Sequence, residues 1–429
     1  MKRTPLAVAF AAVLITTVTA CSSNGGTSAA KADAAHGPIS IWYSNNEQEV
    51  AWGKQMVTAW NAAHPTEKIT AQEIPTGKSS EEVIGAAITA GNEPCLILNT
   101  APAAVPQFQK QGGLVALDGF AGAKSYIETR TGAAASQYRS SDGKYYQLPW
   151  KSNPVMIFYN KKLFAKAGID TTNPPLSTYA DFISTAQKVV SSKSAQYAIW
   201  PAPTSEFYQP WFDFYPLFAA ESGGKQLLAG NKSQFNSPAG QQVAQFWRTI
   251  YADKLASQEA YNGDSFADGK AAMAIVGPWA IAVYKGKVDW GVVPVPTSQG
   301  TPADQIHTFS DAKNIAMYAS CKNRGTAWDV MKFATSQDQD GKLLQMTGQM
   351  PMRANLPNVY PTYFTQNPSY VTFAAQAART VEVPNVSNSV AIWQAFRNAY
   401  SKSVIFGKQD PTAALNDVAQ KIDSLAGQS

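Results

Sequence analysis

A five-residue apolar run, Ala272-Met-Ala-Ile-Val276, stops at Gly277-Pro278 and hands the chain to Trp279. A run of this length bounded by Gly and Pro is the signal of a strand buried on both faces, as at the centre of a parallel sheet. The residues just before it, 266–273, read as a short helix feeding that strand. Trp279 therefore falls just past a strand's carboxyl end, where open α/β sheets bind their ligands. Gly277 permits close backbone approach and Pro278 fixes the exit, so the indole has a defined direction. The same grammar recurs upstream, with strands expected over 38–43, 69–74 and 96–99 and helices over 49–63 and 81–90 between them. Alternation at this spacing implies right-handed βαβ units and a mostly parallel sheet. The strand-end loops carry Asn45, Asn46, Glu47 and Asn99, candidate ligand groups on one sheet edge, although each type also serves as a cap or turn residue.

A chain of 429 residues outgrows a single core, so two lobes are expected. Aromatic residues make up 11% and charged residues only 15%, which describes a folded chain, neither disordered nor basic enough for nucleic acid. Residues 1–20 read as an export signal, with Lys2-Arg3 before an apolar run too short to span a bilayer. Val18-Thr-Ala-Cys21 resembles a bacterial lipobox, which makes Cys21 a candidate lipidation site; an ordinary cleaved signal is the alternative. Residues 21–37 are rich in Ser, Gly and Ala, as a flexible tether should be. The formal charge of +5 includes Lys2 and Arg3, so 5 − 2 leaves +3 after signal removal, too mild for a polyanionic partner.

The pattern Phe266-x-x-Gly-Lys-Ala-Ala-Met-x-x-x-Gly-Pro-Trp279 resembles the hallmark of extracellular solute-binding proteins of carbohydrate-uptake ABC transporters, the maltose-binding-protein-like group. Further blocks are similar to that family: Tyr159-Asn-Lys-Lys-Leu-Phe164 with Ala167-Gly-Ile169, Trp290-Gly-Val-Val-Pro-Val-Pro296, Ala327-Trp328 with Lys332-Phe333, and Gly348-Gln-Met-Pro-Met-Arg353. The resemblance covers roughly residues 38–429. It implies a two-lobed periplasmic-binding-protein fold of type II, each lobe a mostly parallel sheet flanked by helices, with the ligand cleft between lobes. Residues 38–147 and 308–350 would form the first lobe, and 148–307 and 351–429 the second. It also implies that Trp279 stacks on a sugar ring and that Arg353 either reaches the cleft or braces its wall. The strands carrying Cys95 and Cys321 are antiparallel neighbours in that family. Two remaining cysteines in an exported chain suggest a disulfide, with two buried thiols as the alternative.

Leu148-Pro149 reads as the hinge strand entering the second lobe, with Trp150, Lys151 and Asn153 at the crossing. Residues 199–215 concentrate aromatics around an acid; Trp200, Tyr208, Trp211 and Phe212 cannot share one helical stripe. Aromatic faces beside a carboxylate suit a pyranose, which makes Tyr208, Trp211 and Asp213 ligand candidates and Trp200 a weaker one. At 310–312 the chain departs from the family's Gly-Gly turn, so Asp311 and His307 become candidate specificity groups. Three histidines and no nucleophile elbow, His-Glu-x-x-His or phosphate loop leave no catalytic centre, metal site or cofactor to expect. The reading is a monomeric, lipid-anchored receptor on the outer face of the cell membrane, capturing a sugar by lobe closure and delivering it to permease subunits. A non-sugar solute (glycerophosphodiester, polyamine or peptide) in the same fold, or a surface glycoside hydrolase, remain open.

Overall fold

The computed structural model describes residues 31–44, 46–76, 79–201 and 203–428. The expected signal, Cys21 and Asn45 lie outside them. Among the described residues no helix is long and apolar enough to cross a membrane. In the first lobe β1 (Ile39–Tyr43), β2 (Ile69–Glu73) and β3 (Leu96–Thr100) alternate with helices Glu47–Ala63 and Ser80–Ala90, as the spacing predicts. Each helix is started by a short polar residue: Asn46 Oδ1 accepts from Glu49 N at 3.2 Å, and Ser79 Oγ from Glu82 N at 3.2 Å. After β4 (Leu148–Lys151) the chain builds the second lobe from β5 (Met156–Asn160), β6 (Tyr197–Ile199), a small hairpin of β7 (Leu228–Ala229) and β8 (Lys232–Ser233), β9 (Ala271–Val276) and β10 (Trp290–Val293). It returns through β11 (Thr308–Phe309) to β12 (Lys313–Met317), and then crosses again to β13 (Thr380–Val381) and the closing helices Ser389–Tyr400 and Pro411–Ala426.

The first-lobe sheet has the order β2-β1-β3-β12-β4, and the second-lobe sheet β10-β5-β9-β6. β1 is parallel to both neighbours, but β12 runs antiparallel to β3 and β4, and within the four-stranded second-lobe sheet only β6 and β9 are parallel. Both sheets are therefore mixed, less parallel than the apolar runs suggest. A strand covered on both faces is apolar whichever way its neighbours run, so its composition carries no directional signal.

Two local expectations are also corrected. Residues 266–273 do not form a helix: Asp264 Oδ1 accepts from Phe266 N at 3.0 Å and Ala267 N at 2.9 Å, closing a turn, and β9 begins at Ala271. Pairing along both edges of β9 outweighs the helical propensity of its alanines. β4, expected to open the second lobe, is hydrogen-bonded to β12 inside the first-lobe sheet. The expected tether is not free along its whole length either. Its end is docked on the first lobe by Arg324 Nη1 to Asp33 Oδ1 at 3.1 Å, Gly325 N to Ala35 O at 3.0 Å, and Gly37 N to Thr326 Oγ1 at 3.0 Å.

Three crossing segments lie side by side between the lobes. Ser152 N donates to Met350 O at 2.9 Å, Asn153 N to Ser310 O at 2.6 Å, and Val155 N to Phe309 O at 3.1 Å. Beneath them, on the helix Ala123–Thr131, Arg130 is buried with its guanidinium spent on both crossing strands. Nη1 donates to Pro149 O and Met352 O, Nη2 to Trp150 O and to the Asp340 carboxylate, and Nε to Thr335 O. Cys95 and Cys321 form a disulfide that joins the start of β3 to the residues just past β12, across 226 positions of sequence.

Removing one member of a buried, hydrogen-bonded ion pair leaves the other charge stranded, so Arg130→Ala should cost about 3–5 kcal/mol, read as a lower urea midpoint by circular dichroism. Arg130→Lys should recover little of it, because an ammonium cannot reproduce five donors in a fixed fork. Replacing both Cys95 and Cys321 by Ala should cost about 2–5 kcal/mol in the same measurement. Equal stability with and without a reductant in the wild-type protein would contradict the cross-link.

Candidate functional site

The crevice between the lobes holds a cavity of about 340 Å³. Its first-lobe wall comes from the strand-end loops: Ile74 to Thr76 and Ser79 to Glu81 after β2, and Asn99 at the end of β3. Asp311 and Lys313 contribute from the crossing into β12, and Phe207, Tyr208, Trp211 and Phe212 form the second-lobe wall. Aromatic faces on one side thus oppose carboxylates, an ammonium and hydroxyls on the other.

The aromatic wall stands on a short 3-10 turn, Gln209–Phe212, which ends where the helix Phe214–Glu221 starts. The tight turn spreads successive rings in different directions. Trp211 packs edge-on to Phe207 at 5.5 Å and to Trp393 at 5.8 Å, so its ring is held from behind. Lys313 Nζ lies 5.7 Å from the Trp211 ring centroid, a cation–π contact that keeps the ammonium at the cavity wall.

The polar wall is strained in two places. Asn99 has φ 109° and Asp311 φ 39°, left-handed values that residues other than Gly seldom adopt, though Asn and Asp tolerate them best. Such strain tends to gather at functional sites. Asp311 Oδ1 lies 3.7 Å from Lys313 Nζ. Burial pushes the Asp311 carboxyl up, and Lys313 and Lys151 pull it back. Burial depresses Lys313, yet Asp311, Glu81, Glu382 and Glu49 together hold it above its ordinary value, so it stays charged. Below the cavity Glu49 pairs with Lys151 and accepts from Gln349 Nε2, both ions being buried. Burial lowers the Lys151 ammonium, with Glu49 opposing the shift.

The structure brings four of the expected ligand residues to this cavity: Tyr208, Trp211, Asn99 and Asp311. Trp279 borders it at one remove, meeting Phe212 edge-on at 6.0 Å with its own ring folded back over Gly277, where a Cβ would come within 1.9 Å of the indole. The remaining expectations are met by other geometry. Asn46 and Glu47 are exposed, as the cap and first turn of the helix they start. Trp150 is core, tilted against Trp52 at 5.2 Å and 1% exposed. Asn153 is spent within the hinge on Gln349 at 3.3 Å and Met350 N at 3.3 Å. Arg353 takes the bracing role, donating to Asp340 Oδ2 and Thr335 O, both at 2.8 Å. His307 packs over Gly224, and Trp200 lines a neighbouring cavity of about 440 Å³ on the far side of Tyr208 and Phe212.

Asp213, expected to face a ligand, is fully buried in the second lobe as the cap of the helix Phe214–Glu221. It accepts from Phe214 N and from Gln209 Nε2. Lys313, Glu81, Glu49 and Phe212 escaped sequence reading. Glu81 sits in a helix's first turn and Lys313 opens a strand, positions where a charge is ordinary; Phe212 alone carried a signal, as part of the aromatic cluster.

Burial lifts Asp213 to about 7. Between the ordinary carboxylate range near pH 4 and about pH 7 the folded protein therefore keeps a proton that the unfolded chain has lost. Stability from the protonated form is full below that window and declines as pH rises through it. Asp213→Asn carries no titrating group and should escape the decline. Its stability relative to wild type should climb by at most about 4 kcal/mol between about pH 4.5 and about pH 7.5, measured by urea unfolding. Parallel curves would show that this acid is not buried in its protonated form.

Comparison with known proteins places the geometry among relatives. Residues 44–341 match the model of the family described as bacterial extracellular solute-binding protein. A diacetylchitobiose binding protein of Streptomyces coelicolor is 24% identical over 372 residues, 83% of each chain. Among solved structures, the cyclic α-maltosyl-1,6-maltose binding protein of Arthrobacter globiformis superposes with a TM-score of 0.77 at 19% identity, over 92% of this chain and all of that one. UgpB of Mycobacterium tuberculosis, solved in complex with glycerophosphocholine, gives 0.76 at 19% identity, over 91% and 99%.

Proposed function

The chain belongs to the family of bacterial extracellular solute-binding proteins, and from that premise we propose that it captures a neutral sugar between its lobes for an ABC importer. The observation that carries the proposal is the opposition of Trp211 and Tyr208 to Asn99, Asp311 and Glu81 across one interlobe cavity. A sugar ring offers apolar C–H faces to an aromatic ring and a belt of hydroxyls to charged and amide groups, and both partners are present within one cavity. Among the described residues two carboxylates and one ammonium line the cavity, a set that does not call for an anionic solute. Ligand contacts to both walls favour the closed arrangement by their differential affinity, and a permease that reads closure receives the loaded receptor. We further propose that the mature chain begins at Cys21, lipid-anchored outside the membrane, as a monomer; the lipobox-like Val18-Thr-Ala-Cys21 supports the anchor. Binding without turnover accords with the family, whose members are solute binders.

Titration of the chain lacking its first 21 residues with mono-, di- and oligosaccharides, followed by tryptophan fluorescence and thermal unfolding, tests this directly. A true ligand at a hundredfold excess over its dissociation constant adds about 2.7 kcal/mol of stability, a measurable shift. Tyr208→Ala and Asp311→Asn should each weaken binding at least roughly tenfold, the effect of losing about 1.4 kcal/mol of contact. Silence across the panel with a response to glycerophosphocholine would transfer the site to a non-sugar solute, and release of free sugar from an oligosaccharide would revive the hydrolase reading.

A further inference from the structure

His36 lies outside the cavity lining, where the docked segment enters β1 on the first lobe. His36 Nδ1 lies 3.2 Å from Glu67 Oε2 and 4.0 Å from Asp329 Oδ2, and the three ligand atoms lie within 4.8 Å of one another. Bonds of about 2.0–2.1 Å around a tetrahedral zinc ion set ligand atoms roughly 3.3–3.5 Å apart. The His36–Glu67 pair is close to that spacing, and Asp329 Oδ2 lies 4.0 Å from the same nitrogen.

The surroundings organise the cluster. Thr326 Oγ1 donates to Glu67 Oε2 at 2.7 Å, the kind of outer contact that orients a ligating carboxylate. That hydrogen bond holds the Glu67 acid below its ordinary value, with burial opposing it and His36 and His64 adding to the depression. Lys332 takes only the other oxygen of Asp329, at 2.8 Å to Oδ1. The His36 ring rests against Gly325, where a Cβ would come 2.7 Å from Nε2 and 2.8 Å from Ala35 O, so this approach requires glycine. Lys332 balances the Asp329 carboxylate, which leaves the Glu67 charge facing the imidazole and open to a cation.

We propose that His36, Glu67 and Asp329 form a divalent-metal site of zinc type that clasps the segment entering β1 onto the first lobe. One imidazole nitrogen and two carboxylate oxygens suit zinc, cobalt or manganese and leave outer positions to water. The three ligands come from the docked segment, the turn before β2 and the helix Arg324–Ala334, which is why no sequence spacing announces them. Metal would then fix the direction in which the first lobe leaves whatever precedes residue 31.

Chelator-treated protein titrated with Zn²⁺ by calorimetry should bind one equivalent saturably. His36→Ala and Glu67→Gln should weaken that binding at least roughly tenfold, and Gly325→Ala should do so by dislodging the ring. His36 is half-exposed, with 49% of its side chain accessible, so its removal leaves the fold intact, as circular dichroism would verify. Zn²⁺ should also slow tryptic cleavage at Lys31 in wild type and leave His36→Ala unaffected. Wild-type affinity in His36→Ala, no saturable binding by wild type, or cleavage at Lys31 indifferent to Zn²⁺ would each overturn the clasp.

Discussion

The two lobes are held in register by one buried cation. Arg130 spends its five N–H donors on groups that belong to different parts of the hinge: Pro149 and Trp150 on the outgoing strand, Met352 on the returning one, and Thr335 and Asp340 beside them. A buried charge is tolerable only when every donor is satisfied, and here satisfying them requires both strands to lie alongside the helix Ala123–Thr131. Arg353 reaches the same carboxylate from the returning strand, so Asp340 is shared between two guanidinium groups. Burial alone would lift the Asp340 acid, and the two arginines oppose that rise. The crossing peptides then pair with one another into a hydrogen-bonded ribbon between the lobes.

The cleft inherits its chemistry from that ribbon. Lys151 and Asp311 sit on adjacent crossing segments, and Glu49 and Lys313 meet them from the helix Glu47–Ala63 and from β12. Among the described residues four alternating charges thus lie under and along the polar wall, each compensating the next, with Glu81 beside them. Such charged donors and acceptors supply the strong hydrogen bonds that a sugar's hydroxyls require. Asn99 and Asp311 hold left-handed backbone angles there, which fixes their side chains toward the cavity at some cost to local stability. The aromatic wall is braced differently, by ring-on-ring packing back to Trp393 and Phe309.

Much of the architecture was legible because it rests on local periodicity. The βαβ order of the first lobe and the aromatic cluster at 207–212 follow from patterns within a few residues of one another. The failures share a cause. Asp213 looks like a ligand acid among aromatics, yet the tight turn before it rotates the carboxylate into the lobe as a helix cap. Trp150 and Asn153 follow a hinge proline, yet β4 joins the first-lobe sheet and buries Trp150, while Asn153 is spent on Gln349 and Met350 across the hinge. Glu49 and Lys313 are unremarkable charges in a helix turn and at a strand start until the fold sets them beside Lys151 and Asp311.

From its sequence alone this chain declares a two-lobed α/β fold of the solute-binding kind and an aromatic cluster at 207–212, since hydrophobic period, breaker residues and family-like motifs are written in consecutive positions. Strand direction, the position of the hinge and the membership of the site were decided by tertiary structure. Those depend on which distant segments share a buried charge, and a buried charge selects its partners by distance in space, through desolvation and hydrogen-bond geometry that no stretch of sequence contains.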